Sequence, residues 1–100
     1  MLTKEKILRK IEEDREKIKK YGVKRIGLFG SRVRGEQKEE SDIDILVEFE
    51  KGKITFDNFM GLKFFLEDSF NCKVDLVIVD DIKPRLKPYI LGEVVYAKGL

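Results

Sequence analysis

The chain has 100 residues, 42% hydrophobic and 40% charged, which is too polar for a membrane protein and too apolar for a disordered one, so one globular domain over residues 1–100 is expected. Lys and Arg number 21 against 19 Asp and Glu, and the formal charge of +2 is too small to argue nucleic-acid binding from net charge. There is no His, which excludes His-based general bases, Ser-His-Asp triads and His-ligated zinc, and the single Cys72 excludes an intrachain disulfide or a thiolate cluster.

From Thr3 to Lys20 a strongly charged run carries Ile7, Leu8, Ile11 and Ile18 at helical spacing. It predicts one amphipathic helix capped by Thr3 and closed near Gly22, with a lapse in the apolar stripe at Asp14 and Arg15. Val23 to Gly30 predicts a strand that ends in the Gly30-Ser31 step, and the polar stretch Ser31 to Ser41 predicts a short helical turn followed by a loop. Asp42 to Glu50 alternates cleanly: Ile43, Ile45, Val47 and Phe49 form one face, and the other begins with two carboxylates, Asp42 and Asp44.

After a turn around Gly52, Thr55 to Phe70 predicts a second helix, capped by Thr55, whose Phe59, Leu62, Leu66 and Phe70 face inward. Met60 and Phe64 point away from that stripe; they form either an exposed docking patch or a surface covered by the C-terminal segment. Lys73 to Val79 predicts a third strand with Asp75 on the face opposite Val74, Leu76 and Ile78. Pro84 and Pro88 allow only short helical turns beyond it, and Val94 to Ala97 suits a last short strand. The fold class expected is α/β (α+β): a small mixed sheet of three to four strands, helices on one face, and an open face around Asp42, Asp44 and Asp75.

The chemistry follows from pairing the second and third strands. Asp42 and Asp44 lie two apart on one face, about 7 Å from each other along the backbone. Asp75 occupies the corresponding face of its own strand, so pairing with apolar faces together would converge three carboxylates. Carboxylates that close raise one another's pKa and call for a cation; oxygen ligands without His or Cys point to Mg²⁺ or Mn²⁺ rather than zinc. A glycine-serine step leaving a strand lets backbone N–H groups and the Ser31 hydroxyl approach a phosphate, with Arg32 and Arg34 to neutralise it. Singly, each feature has a bland reading: a plain turn, a solvated strand edge, a satisfied buried carboxylate. Jointly they describe a site for in-line phosphoryl or nucleotidyl displacement.

Gly30-Ser31, ten residues, Asp42-Ile43-Asp44 and then Lys73-Val74-Asp75-Leu76-Val77 resemble the motif set of the DNA polymerase beta nucleotidyltransferase superfamily. The short length resembles its minimal members, the antitoxins that act beside HEPN-domain toxins. The resemblance implies that Asp42, Asp44 and Asp75 are the catalytic residues and bind two Mg²⁺ ions, with Mn²⁺ as the alternative. It further implies that Gly30, Ser31, Arg32, Arg34 and Ser41 bind the nucleotide, ATP being the substrate. The implied function is transfer of AMP to a hydroxyl of a partner protein, a tyrosine of the HEPN toxin. The alternative is an interaction module that silences its partner by binding alone.

The basic run Lys17, Lys19, Lys20, Lys24 and Arg25 suits a solvated helix end, so nucleic acid is not expected as a partner. The opening residues carry no signal-peptide apolar region and the longest apolar runs are four residues, such as Leu76 to Val79; a cytoplasmic protein without membrane association is expected, its oligomeric state open.

Overall fold

The computed structural model describes residues 2–38 and 41–100; Met1 lies outside the described residues, as do Glu39 and Glu40, which the sequence assigns to the polar loop. Thr3 caps the first helix, its Oγ1 accepting from the Lys6 N–H at 3.3 Å. The single helix expected to Lys20 is two, α1 (Lys4–Glu13) and α2 (Arg15–Lys19). They part at Asp14 (φ −96°, ψ 14°), where the apolar stripe lapses between the buried Ile11 and Ile18. Asp14 instead pairs with Lys10 at 3.2 Å.

Next come β1 (Val23–Phe29), the single-turn helix α3 (Ser31–Arg34), β2 (Ile43–Phe49), α4 (Phe56–Phe70) and β3 (Val74–Ile78). A 3₁₀ turn (Val79–Asp81), α5 (Lys87–Glu93) and β4 (Val95–Tyr96) complete the chain. Thr55 caps α4 as expected, accepting from the Asn58 N–H at 3.1 Å. Strand order is β3-β2-β1-β4, giving four strands. The α4 crossover makes β2 and β3 parallel, since parallel neighbours need a long connection, while β1 runs antiparallel to both β2 and β4. At the β4 edge, a Cβ on Gly27 would lie 2.9 Å from the Val95 carbonyl oxygen and 3.0 Å from the Tyr96 ring, so the missing side chain is what lets β4 pass.

One face of the sheet holds the main core. Ile26, Leu28, Ile43, Ile45, Val47, Val74 and Leu76 meet Ile7 and Ile11 of α1, Ile18 of α2, and Leu62, Leu66 and Phe70 of α4. Phe59 packs there half-buried. The opposite face departs from expectation. It carries a second, smaller cluster in which Phe29 and Leu46 are covered by Ile82, Val79, Ile90 and Val94, so the segment after β3 roofs part of a surface the alternation leaves open. Of the two residues projecting from α4, Phe64 is 55% exposed and Met60 half-buried. Among the described residues, no helix is long and apolar enough to cross a membrane.

Candidate active site

The register brings the candidate residues into one row. Phe29 pairs with Asp44 across β1 and β2, and Asp44 with Asp75 across β2 and β3. Register partners on neighbouring strands share a face and stand about 4.8 Å apart. Asp44 is half-buried and Asp75 exposed, and the row sits just beyond the second cluster, whose Leu46 and Val77 are the next in-register pair. Asp42 lies in the extended segment before β2, exposed.

Burial raises the Asp44 carboxyl above the usual Asp range; the charges of Asp75 and then Asp42 push it further, and Arg34 pulls the other way. Asp44 therefore feels the charge of both other aspartates. The three are not drawn into a ready-made ligand set, however: among the described residues no three His, Cys, Asp or Glu side chains form a group that could hold a metal ion. The donor chemistry, all hard oxygens with one carboxyl already pushed up by its neighbours, fits a divalent cation.

Gly30 turns the chain out of β1 at φ 83°, ψ −155°, a region essentially reserved for glycine. Its lack of a side chain is also spatial, because a Cβ there would collide with the Asp44 carboxylate. The turn and the acid are thus packed backbone against side chain. Ser31 opens α3, and Gly35 closes it in the left-handed region at φ 75°.

The two arginines part company. Arg34 is half in solvent at the end of α3, its Nε donating to Glu36 at 2.8 Å and its Nη1 donating to both carboxylate oxygens of Glu93 at 3.1 and 3.0 Å. Those bonds, with Glu36 first and Glu93 next, hold its pKa above the ordinary value. Arg32, expected at the phosphates, is engaged elsewhere: it is 3% exposed, and its guanidinium donates to the carbonyls of Leu2 at 2.7 Å and Ser41 at 2.6 Å. It ties the N-terminal segment to the start of β2. Ser41 is likewise occupied, its hydroxyl accepting from the Lys38 N–H at 2.8 Å and its carbonyl accepting from Arg32 and, at 3.5 Å, from the Cys72 thiol.

Sequence reasoning missed Glu93. Its Oε1 accepts from the Gly30 N–H at 2.9 Å while the same carboxylate grips Arg34, so a residue from the weakly patterned C-terminal stretch closes the site on its β4 side. No local signal marks it; the contact spans 63 positions of the chain.

Residues 8–97 match the nucleotidyltransferase domain family. The chain is 41% identical over 97 residues to the protein adenylyltransferase MntA of Thermococcus cleftensis, covering 96% of this chain and 97% of that one. A solved structure named provisionally as a minimal nucleotidyltransferase superposes with a TM-score of 0.73 at 36% identity, over 88% of this chain and 93% of that one. A toxin–antitoxin complex with AMP-PNP contains a chain similar at TM-score 0.69 and 25% identity, over 89% of this chain and 73% of that one. The fold is also shared, at 21% identity and TM-score 0.64 over 93% of this chain and 73% of that one, with a complex of a tri-AMPylated HEPN toxin and its MNT antitoxin from Shewanella oneidensis.

Proposed function

The chain belongs to the nucleotidyltransferase domain family, and we propose that it is an antitoxin that transfers AMP from ATP to a tyrosine hydroxyl of a HEPN-domain toxin. The observation that carries this reading is the in-register row in which Asp44 and Asp75 stand side by side, next to the Gly30-Ser31 turn. The T. cleftensis relative's name and the AMP-PNP complex support the donor; the HEPN complex supports the acceptor. ATP as donor and a lone free thiol, Cys72, suit the cytoplasm.

Asp42, Asp44 and Asp75 would hold two Mg²⁺ ions, or Mn²⁺, which when bound supply positive charge at the phosphate oxygens. The chain's own groups do the rest. The Ser31 backbone N–H and hydroxyl, at the turn that Gly30 makes, hold the triphosphate, and Arg34 adds charge beside it. Asp75, exposed at the rim, takes the proton as the acceptor oxygen bonds to the α-phosphorus and the bond to pyrophosphate breaks in line.

Intact mass spectrometry of the toxin incubated with ATP and Mg²⁺ tests the reading. The wild type should add adenylyl groups. Asp75→Asn should still bind the toxin yet add none, and Phe64→Ser should weaken association first and modification only in consequence. The second reading is an antitoxin that acts by binding alone, favoured by the large apolar side chains that α4 and its approach leave in solvent, Ile54, Phe56 at 78% and Phe64 at 55% exposure. A wild-type protein that silences the toxin without a mass gain under any triphosphate would establish that reading instead.

A further inference from the structure

We infer that Glu93 is a positioning residue for nucleotide binding, acting through Arg34 and the Gly30 backbone; the inference rests on the proposed triphosphate site. β4 runs antiparallel to β1, with Gly27 opposite Tyr96 and Leu28 opposite Val95. Continuing that count puts Gly30 opposite Glu93. β4 begins only at Val95, so the Glu93 side chain takes over where the backbone ladder stops, its Oε1 accepting from the Gly30 N–H at 2.9 Å.

The same carboxylate reaches Arg34, four residues on. Both of its oxygens accept from Nη1, at 3.1 and 3.0 Å, and Glu36 holds Nε at 2.8 Å. Two carboxylates on two edges of one planar guanidinium fix its orientation as a single long side chain could not by itself. With Nε and Nη1 held in this way, the guanidinium is fixed beside the turn, where its positive charge reaches the Asp44 carboxyl. Glu93 is 26% exposed and Arg34 47%, which in an isolated pair would contribute little to stability. Here the pair is bound to a buried backbone donor on the residue that makes the turn, and its effect falls on geometry.

The opposite sign is physically conceivable, since a carboxylate competes with phosphate for the same cation. The Gly30 contact argues against competition: Glu93 Oε1 is held by the Gly30 N–H at 2.9 Å, on the β4 side of the turn, although its charge also reaches the Asp44 carboxyl and pushes it up.

Titration of ATP in Mg²⁺ buffer into the full chain, by calorimetry, with thermal melts of every variant, separates the cases. Glu93→Ala should weaken ATP binding about tenfold, Glu93→Gln about threefold, since its amide oxygen can still accept from Gly30, and Glu93→Asp should recover part of the loss. In an Arg34→Ala background, Glu93→Gln should add no further weakening, because its charge acts through that arginine. Tighter ATP binding in Glu93→Gln would overturn the inference in favour of a competing carboxylate. A lowered Tm with an unchanged Kd in Glu93→Ala, measured well below melting, would reduce Glu93 to a structural contact. A wild type that binds no triphosphate would take down the proposed function and this inference together, whereas wild-type binding indifferent to Glu93 would take down the inference alone.

Discussion

The two faces of the sheet are built for different ends. On the helix-covered face Ile26, Leu28, Ile43, Ile45 and Val47 are wholly buried beneath α1, α2 and α4 in one apolar cluster. On the opposite face a thin cluster around Phe29, Leu46 and Ile82 gives way within one row to Asp44 and Asp75. The first face offsets chain entropy, which leaves the second free to hold like charges that cost stability. The boundary runs through single strands: Asp44 and Ile45 are neighbours in sequence and serve opposite faces.

That division predicts that neighbouring substitutions separate activity from stability. The largest effect should come from Asp75→Asn, which removes a carboxylate from the open row and should lower AMP transfer roughly a thousandfold, the scale of transition-state charge stabilisation, with the melting curve nearly unmoved. Ile45→Ala should do the reverse, costing about 2–5 kcal/mol in denaturant unfolding through the cavity it leaves. Gly30→Ala crosses the boundary, since it forces a side chain into a glycine-only backbone conformation and against the Asp44 carboxylate. It should cost about 1–3 kcal/mol and impair nucleotide binding as well. Ile82→Ala, in the thin cluster, should cost only about 1–2 kcal/mol because a surface roof collapses more readily than a core. If Ile82→Ala proved as costly as Ile45→Ala, the second face would be a true core and the comparison would fail.

Much of this was legible in the sequence because hydrophobic alternation is local. The alternation over Asp42 to Glu50 and Lys73 to Val79 announced strands found at Ile43–Phe49 and Val74–Ile78 and put Asp44 and Asp75 on the face away from the core, and Thr3 and Thr55 announced their caps. What stayed hidden depends on distant chain. Arg32 reads like a phosphate ligand in a polar run, yet carbonyls of Leu2 and Ser41 claim it. The roof over Phe29 and Leu46 comes from Ile82, Ile90 and Val94, a stretch broken by Pro84 and Pro88 with no strong period. Glu93 acquires its role only when β4 returns beside β1. The break between α1 and α2 does have a local mark, the lapse of the apolar stripe at Asp14.

The smallest effect is the most direct test of whether the charged row costs stability. The Asp44 carboxyl is raised by burial first, then by Asp75 and Asp42, so the folded chain holds that proton more tightly than the unfolded chain does. Between the ordinary Asp value, about 3.9, and the raised one, the native state binds more protons, and stability falls as pH rises through that window. Above the window the cost is fully present; below it, the cost is gone. Asp44→Asn removes it, so without divalent cation the variant should melt above the wild type at neutral pH. The difference should be no more than a few degrees, because Asp44 is partly solvated and its interactions are screened. The gap should close as pH falls through the window. Adding Mg²⁺ should narrow it at neutral pH by stabilising the wild type more than the variant, since a bound cation cancels the charge that Asn lacks. Equal melting temperatures at neutral pH, or a gap that widens on acidification, would mean that Asp44 rests among its neighbours at no cost and that the open face is not electrostatically strained.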